Sequence, residues 1–264
     1  MINQNSITIA GCRIPVTRNI QDNLEEIKKA INWCADNSVD ILVTPECSLS
    51  GYMWAPGFPD YENDPKVIEL SVATDHLIEY SREKKIDLVL GTAGYDENGQ
   101  WINMQKYILG GNWACDYSKN QLTDLETIYT ARNFFPPVID YKGHKISGLI
   151  CNDYWANAIK TPNHGELLLF LKHSGVEVIF LSAFVFKWPG NDMAYYKWSE
   201  GHVLMNSMIG DFATVVSDAT TNVDGTEYLG EPCSPVGIAN KDGKWVARGD
   251  DATVSYFKYT LAGT

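Results

Sequence analysis

The sequence predicts an α/β fold that forms one domain over residues 1–264, because strand-like and helix-like segments alternate along the chain. Short apolar runs rich in β-branched residues, such as Ser6–Cys12, predict buried strands. Apolar residues spaced three and four apart, as in Asn19–Asp36, predict amphipathic helices. The turn signal Asn98-Gly99 adds a hairpin. The chain contains neither an internal repeat nor a low-complexity linker that would divide it.

In the first half, strands alternate with helices and two hairpins follow. The predicted segments are strand Ser6–Cys12, helix Asn19–Asp36, strand Val39–Thr44, helix Asp64–Lys85 and strands Ile86–Thr92, Trp101–Leu109 and Trp113–Tyr117. Glu46 follows the second strand closely, ahead of a Gly- and Pro-rich loop from Ser50 to Pro59. We expect a long loop with a helical turn from Asn120 to Pro137.

The second half continues the alternation and closes with antiparallel strands. Thr161 and Pro162 are a plausible N-cap and first-turn pair for a helix that ends at Gly175. The remaining segments are strands Val138–Tyr141, Lys145–Ile150, Val176–Leu181 and Phe212–Ser217, a helix Asn191–Gly210, and further strands ending at Thr260.

Charge and composition exclude several classes of function. The formal net charge is −12 and the pI is near 4.8, whereas a face that binds nucleic acid needs clustered Lys and Arg. With 45% hydrophobic and 20% charged residues, the composition is that of an ordinary globular protein. No basic amphipathic segment and no apolar run of transmembrane length occurs, so we expect no membrane partner.

The six cysteines show neither zinc-ligand spacing with histidines nor the density of a disulfide framework. The sequence also lacks a Gly-rich phosphate loop, a histidine pair at helical spacing and a clustered carboxylate motif. We therefore expect no metal and no other cofactor. The first residues lack the basic and apolar regions of a signal peptide, which predicts a cytoplasmic protein with reduced thiols.

The segment Lys145–Trp155 is the most informative stretch of the chain. It runs apolar through Leu149 and Ile150, stops on Cys151, and continues with Asn152. A cysteine at the carboxyl end of a buried strand stands where open α/β sheets place their ligands. The alternative is a packing cysteine, since free cysteines are among the most buried residues.

Two further polar residues follow predicted strands in the same way as Cys151. Glu46 comes after the strand that Pro45 closes, and Lys119 comes after the second hairpin. If the three strands lie side by side, the three side chains meet at one edge of a sheet. A carboxylate then takes the thiol proton and an ammonium stabilises the charge that develops during attack on a carbon–nitrogen compound. Taken singly, each residue also fits a structural role, as a capping carboxylate, a surface lysine or a core cysteine.

Three separated motifs resemble the signatures of the nitrilase superfamily of carbon–nitrogen hydrolases, in the same order and with similar spacing. They are Thr44-Pro45-Glu46 with Ser50-Gly51-Tyr52, Tyr117-Ser118-Lys119 with Leu122, and Gly148-Leu149-Ile150-Cys151-Asn152-Asp153. The resemblance covers nearly the whole chain. It implies an α/β fold of the four-layer αββα sandwich type and a family that works without a cofactor.

The resemblance also implies a role for each site residue. Glu46 is the general base, Lys119 stabilises the transition state and Cys151 is the nucleophile. The backbone N–H of Asn152 helps to hold the oxyanion, and Glu126 is the nearest candidate for a second glutamate. The family commonly pairs two sandwiches across helical faces, which implies a homodimer or a larger homo-oligomer.

Departures from the family patterns leave the branch open. Cys151-Asn152-Asp153 differs from the Cys-Trp-Glu typical of nitrile hydrolysis and leans towards amide hydrolysis, yet the residues after Asp153 do not continue as in the usual amidases. We expect an amidase of small amides or carbamoyl compounds that forms a Cys151 thioester and releases ammonia or an amine. The alternatives are a nitrilase, an acyl transferase, or a catalytically silent binding or assembly protein.

Aromatic residues near the predicted site suggest an apolar wall for the substrate. We predict that Tyr52, Trp54, Trp155 and Phe184 bind the acyl part of a small-molecule amide or nitrile. Ordinary packing of loops against the core is an equally good explanation for each of them. Cys47 lies beside Glu46 and is given no catalytic role, because the trio leaves it none.

Overall fold

The computed structural model describes residues 6–52, 66–123, 126, 128–131, 135–155, 164–185, 192–220, 234–251 and 253–263. Within these ranges the helices are α1 Ile20–Asp36, α2 Lys66–Lys84, α3 Asn152–Trp155, α4 His164–His173 and α5 Asp192–Gly210. The strands are β1 Ile7–Pro15, β2 Ile41–Val43, β3 Asp87–Tyr95, β4 Trp101–Leu109, β5 Asn112–Ser118, β6 Ile139–Tyr141, β7 His144–Ile150, β8 Val178–Ser182, β9 Ala213–Thr220, β10 Gly237–Ala239, β11 Trp245–Arg248 and β12 Ser255–Leu261.

The strands join in the order β5-β4-β3-β2-β1-β9-β8-β7-β6. Strands β1, β2 and β3 are parallel, and β3, β4 and β5 form the two predicted antiparallel hairpins. Strands β7, β8 and β9 are parallel, while β6 pairs antiparallel with β7 as expected. Near the carboxyl end of the chain, β12 pairs with β1, and β10 pairs with β9 and β11. Parallel strands linked by helices and extended by hairpins confirm the predicted α/β class.

Two halves of this curled sheet face each other and enclose the main core. The half built around β1 to β5 contributes Ile9, Val43 and Tyr107, and the half built around β6 to β9 contributes Phe180 and Val215. All of these side chains are fully buried. Helices α1 and α2 cover the outer face of the first half, and α5 packs against β9, β10 and α4. The four-layer αββα sandwich is therefore confirmed.

A buried ion pair lies at the junction of the two halves, where β1 meets β9. Arg13 Nη2 lies 3.8 Å from Asp218 Oδ2, and both side chains are inaccessible to solvent. The guanidinium also donates to the carbonyl oxygens of Ala219 at 2.8 Å and Ser234 at 2.6 Å. Asp218 accepts the backbone N–H of Val185 at 3.0 Å. These bonds offset the cost of burying two charges and hold β1, β9 and the end of β8 together.

Helix α1 shows how local sequence sets an element. Its apolar stripe, which includes Leu24 and Ile31, is buried beside the sheet. The side chain of Asn19 accepts the backbone N–H of Gln21 at 2.9 Å and of Asp22 at 3.2 Å, which caps the amino terminus. The observed helix therefore begins one residue after the predicted start at Asn19.

The predicted element order is observed wherever the structure describes the chain, and bounds differ by a few residues. The strand predicted at Phe212–Ser217 extends to Thr220 because pairing with β1 continues to that residue. In the described parts of the Asn120–Pro137 loop, turn bonds run from Glu126 to Thr123 and from Tyr129 to Glu126. The proposed cap at Thr161 and Pro162 lies outside the described residues. Among the helices described, none is long and apolar enough to cross a membrane.

Candidate active site

The site forms where three strands end, but these strands are not neighbours. Glu46 follows β2 and Lys119 follows β5, with β3 and β4 between them, and Cys151 follows β7 in the facing half of the sandwich. The expectation of three strands side by side was therefore wrong. The two hairpins reverse the chain twice, so β5 again runs parallel to β2 and ends at the same edge. The packing of one half on the other then brings Cys151 to this edge.

Lys119 binds both glutamates that the sequence singled out. Its Nζ lies 2.6 Å from Oε1 of Glu46 and 2.9 Å from each carboxylate oxygen of Glu126. The Lys119 and Glu46 side chains are inaccessible to solvent, and so is that of Glu126. The ammonium of Lys119 neutralises one of the two carboxylates, so the buried cluster has a net negative charge when both carboxylates are ionised.

Burial raises the pKa of Glu46, and the neighbouring charge of Glu126 adds to the increase. The positive charge of Lys119 lowers it, and the result is a pKa of about 7. Burial by itself lowers the pKa of Lys119, but the charges of Glu126 and Glu46 outweigh it and hold this pKa well above its usual value. For Glu126, Lys119 and the backbone N–H of Thr123 outweigh the effect of burial, so its pKa is lowered. Lys119 and Glu126 are therefore charged at neutral pH, and Glu46 is poised to exchange a proton.

Asn103 is a site residue that the sequence analysis missed. Its Nδ2 donates to Oε1 of Glu46 at 2.7 Å and to Oε1 of Glu126 at 3.1 Å. It lies on β4, where Asn103, Gln105 and Tyr107 alternate on the buried inner face. Two amide side chains at alternate positions of β4 indicate a polar patch on its inner face, but they do not indicate which residues that patch contacts. Oε2 of Glu46 has no hydrogen-bond partner in the described part of the chain, so one oxygen of this carboxylate can accept a proton.

Cys151 occupies a sharp turn between β7 and α3. Its φ of 42° lies in the left-handed region, which is uncommon for a residue other than glycine. The turn is held by the Cys151 N–H, which donates to the carbonyl of Ser182 at 2.8 Å, and by the Tyr154 N–H, which donates to the carbonyl of Cys151 at 2.9 Å. The residue is only 7% exposed. A constrained backbone at this position fixes the direction of the thiol.

Glu46, Lys119 and Glu126 all act on the Cys151 thiol through their charges. Burial and the charge of Glu46 raise the pKa of Cys151 well above its usual value, whereas Lys119 and the backbone N–H of Phe184 lower it. The thiol is therefore protonated at neutral pH and needs a base to become a nucleophile. Glu46 is the carboxylate whose charge raises the pKa of this thiol most.

The end of β8 links the turn of Cys151 to Glu46. Besides the bond between Cys151 and Ser182, the N–H of Glu46 donates to the carbonyl of Ala183 at 3.1 Å. The hydroxyl of Ser182 donates to the carbonyl of Thr44 at 2.8 Å. Glu46 and Cys151 are thus bonded to two consecutive residues, Ser182 and Ala183, at the end of β8, which limits how far they can move apart.

The family is shown by sequence. Residues 6–199 match the family model described as carbon–nitrogen hydrolase. The chain belongs to the carbon–nitrogen hydrolase family. An alignment 173 positions long is 28% identical to the glutamine-dependent NAD(+) synthetase of Acinetobacter baylyi, and it covers 62% of this chain and 30% of that protein's length.

Solved structures of an amidase from Nesterenkonia sp. share the fold of this carbon–nitrogen hydrolase. One is 15% identical, with a TM-score of 0.79, and the match covers 100% of this chain and 92% of that one. A variant in complex with butyramide is 15% identical with a TM-score of 0.81, and the match covers 99% of this chain and 94% of that one. At this identity the likeness shows the fold alone, and the family rests on the match over residues 6–199.

Asp153 is a second residue of this hydrolase whose position sequence reasoning did not explain. Its buried carboxylate accepts the backbone N–H groups of Asn120 at 3.0 Å and Gln121 at 2.7 Å. It also accepts the hydroxyl of Tyr117 at 2.8 Å and the N–H of Ile150 at 3.3 Å. The residues on either side of Lys119 are therefore fastened to the segment that holds Cys151.

The structure brings together two of the predicted substrate-binding aromatics. The rings of Tyr52 and Phe184 stack with centroids 4.7 Å apart, and both pack in a small apolar cluster that also contains Cys47 and Tyr129. The Tyr52 hydroxyl lies 3.4 Å from Oε1 of Glu46. This pair forms an apolar wall next to Glu46.

Two other predicted binding residues, Asn152 and Trp155, lie on α3 rather than beside Tyr52 and Phe184. Trp155 is 2% exposed and packs in the core between the sheets, edge-on to Tyr154 at 5.8 Å, rather than with Tyr52. Asn152 is partly exposed at the first position of α3, directly after Cys151. Trp54 lies outside the described residues.

Proposed function

We propose that this carbon–nitrogen hydrolase is an amidase that cleaves small amides through a thioester on Cys151. The observation that supports this most directly is the buried contact of 2.6 Å between Lys119 and Glu46, two residues 73 positions apart, in a pocket whose charges act on the Cys151 thiol. A base, a cation and a thiol with these roles suit covalent hydrolysis of an amide.

In the first step, Oε2 of Glu46 takes the proton of the Cys151 thiol while sulfur attacks the amide carbonyl carbon. The carbon–sulfur bond forms and the carbonyl π electrons move to oxygen. Lys119 and the backbone N–H of Asn152 stabilise the oxyanion, which is the interaction that strengthens most in the transition state. A carboxylate with a pKa of about 7 suits general base catalysis near neutral pH, where the ideal pKa lies close to the working pH.

In the second step, Glu46 returns the proton to the amide nitrogen, the carbon–nitrogen bond breaks and ammonia or an amine leaves. Water then attacks the thioester, and Glu46 takes one of its protons. The carbon–sulfur bond breaks, the proton passes to the Cys151 sulfur, and a carboxylic acid is released. Glu126 remains charged and keeps Lys119 in place throughout.

The proposed substrates are small linear amides, because the stacked Tyr52 and Phe184 rings form an apolar wall beside Glu46. Variants of the Nesterenkonia amidase with the same fold were solved with acrylamide and with butyramide. The side-chain amide of glutamine is the second candidate, because part of the chain is 28% identical to a glutamine-dependent synthetase.

Ammonia release from acetamide, acrylamide, butyramide and glutamine tests this proposal. We expect release by the unmodified protein, loss of release in Cys151→Ala, and little change in Cys115→Ala, which removes a partly exposed thiol on β5 as a matched control. Intact-mass analysis of the protein with a reactive amide should show one acyl group on Cys151. Full ammonia release by Cys151→Ala would exclude the thioester.

We also propose that two copies pair through α4 and α5. These helices expose Leu169, Met205, Met208 and Ile209, which are between 43% and 57% accessible and would lose water on pairing. Light scattering should give twice the mass of the chain, and Met208→Lys should reduce it to the mass of one copy.

We also propose a cytoplasmic location, which the free thiols of the described cysteines support.

A further inference from the structure

We propose that Asn103 is a positioning residue that holds the carboxylates of Glu46 and Glu126 around Lys119 and leaves Oε2 of Glu46 free to act as the base. This inference rests on the proposed function, because it assigns a role in the reaction of the same site. It comes from the contacts of the buried Asn103 amide with the two carboxylates and of its backbone carbonyl with the N–H of Lys119.

Asn103 contacts each charged residue directly. Its Nδ2 bonds both carboxylates, at 2.7 Å to Glu46 and 3.1 Å to Glu126. Its backbone carbonyl accepts the N–H of Lys119 at 2.8 Å. The side chain is 1% exposed, so water does not compete for these bonds. Asn103 therefore sets the mutual positions of three groups that arrive from different parts of the chain.

The cluster needs a neutral donor for electrostatic reasons. Two carboxylates share one ammonium, and the charge of Glu126 raises the pKa of Glu46. The Asn103 amide bonds both carboxylates and opposes this increase without adding a charge. A second cation in its place would lower the pKa of Glu46 further and weaken it as a base.

The bonds also distinguish the two oxygens of Glu46. Oε1 receives Lys119 at 2.6 Å and Asn103 at 2.7 Å, while Oε2 has no partner within the described residues. A carboxylate held by one oxygen presents the other in a fixed direction. The titratable groups that act on this carboxylate or are affected by its charge are Lys119, Glu126, Cys47, Tyr52 and Cys151.

The test compares Asn103→Leu, which removes the donor, and Asn103→Asp, which replaces it with a third carboxylate. Asn112→Asp is the matched control, since Asn112 is exposed at the far end of the same hairpin. We expect the acidic midpoint of kcat/KM to move upwards by about one pH unit in Asn103→Asp, the usual size of such a shift. In Asn103→Leu and Asn103→Asp we expect kcat to fall about tenfold or more with a smaller change in KM, because Asn103 acts on Glu46, the proposed base.

A second measurement is independent of turnover. The rate at which iodoacetamide modifies Cys151, followed by peptide mass analysis across pH, reports the charge environment of the thiol. We expect the pH midpoint of this alkylation rate to rise in Asn103→Asp and to stay unchanged in Asn112→Asp. Asn103→Ser keeps a hydroxyl donor in a smaller side chain and is the variant to use if the larger changes prevent folding. We expect its midpoint to lie between those of the unmodified protein and Asn103→Asp.

The outcomes separate the two proposals. Unchanged pH midpoints in all Asn103 variants, accompanied only by a lower Tm, would overturn the positioning role. If the unmodified protein releases no ammonia from any amide but the alkylation midpoint still shifts, the role of Asn103 stands and the proposed function fails.

Discussion

The carboxylate of Asp153 accepts the backbone N–H of Gln121 at 2.7 Å, and this bond joins the loop of Lys119 to the turn of Cys151. Asp153 lies two residues after Cys151, while Gln121 lies two residues after Lys119. The same carboxylate accepts the N–H of Asn120 at 3.0 Å. The relative position of Lys119 and Cys151 therefore depends on one buried acidic side chain as well as on the packing of the sheets.

Asp153→Asn should reduce both stability and activity. Asparagine has the same shape as aspartate, but its NH₂ group donates hydrogen bonds. It would face backbone N–H groups that the Asp153 carboxylate accepts, and these donors would lose their acceptor. One unsatisfied buried group costs about 1–3 kcal/mol, which we expect as a lower free energy of unfolding in urea. We also expect kcat to fall because Lys119 loses its alignment. Asp140→Asn, an exposed change on β6, is the control, and equal behaviour of the two variants would contradict the structural role.

The pH dependence of activity should follow the ionisation of Glu46. Its carboxyl has a pKa of about 7 and accepts the thiol proton only when ionised, so kcat/KM should rise as the pH increases through about 7. Because the charge of Glu126 raises this pKa, Glu126→Gln should move the midpoint to lower pH. A pH–rate profile of both proteins checks this, and a midpoint that moves upwards in Glu126→Gln would contradict it.

Removing Lys119 should destabilise the fold strongly. Lys119→Met leaves two buried carboxylates without their cation, and breaking a buried ion pair in this way costs about 3–5 kcal/mol. The double variant with Glu126→Gln removes one of these charges, so part of the loss should be recovered. Urea unfolding of the single and double variants measures this coupling. Strictly additive effects would show that Lys119 and Glu126 do not interact.

Gly148 permits close contact between the two halves of the sandwich. A Cβ at this position would lie 2.1 Å from Oε1 of Gln105 and 2.3 Å from the hydroxyl of Tyr107, both on β4. We expect Gly148→Ala to lower the free energy of unfolding by about 1–3 kcal/mol and to reduce kcat, because β7 carries Cys151.

The matched control for Gly148 is Gly201, which lies in helix α5 and has open space at the Cβ position. Gly201→Ala should stabilise the protein by about 0.4–1 kcal/mol, because alanine reduces the entropy of the unfolded chain. Thermal and urea unfolding give both values. A neutral Gly148→Ala would show that Gln105 and Tyr107 have room to move.

Much of the fold and part of the site could be predicted from local patterns. Helix α1 follows from its apolar spacing and the cap at Asn19, and β7 follows from an apolar run that ends at Cys151. The carry-over of Glu126 from the family resemblance agrees with its contact of 2.9 Å with Lys119. The catalytic roles of these residues remain predictions.

The roles of Asn103 and Asp153 could not be predicted in the same way. Asn103 contacts Glu46 across 57 positions, and Asp153 contacts Asn120 across 33. Nothing in the local pattern of β4 indicates which side chains lie opposite its inner face. Trp155 was predicted to bind substrate from its place four residues after Cys151, and its side chain packs in the buried cluster that also contains Cys151. Its role in binding stays a prediction.

The sequence by itself determined the order of the elements, the α/β class, and the three strand ends that bear Glu46, Lys119 and Cys151. These features depend on side-chain periodicity and on residues close together along the chain. Only the tertiary structure decided that β2, β5 and β7 meet without being neighbours, and that Asn103 and Asp153 join them. The physical reason is that the packing of one half of the sheet on the other sets these distances, and that packing depends on contacts between residues far apart in the sequence.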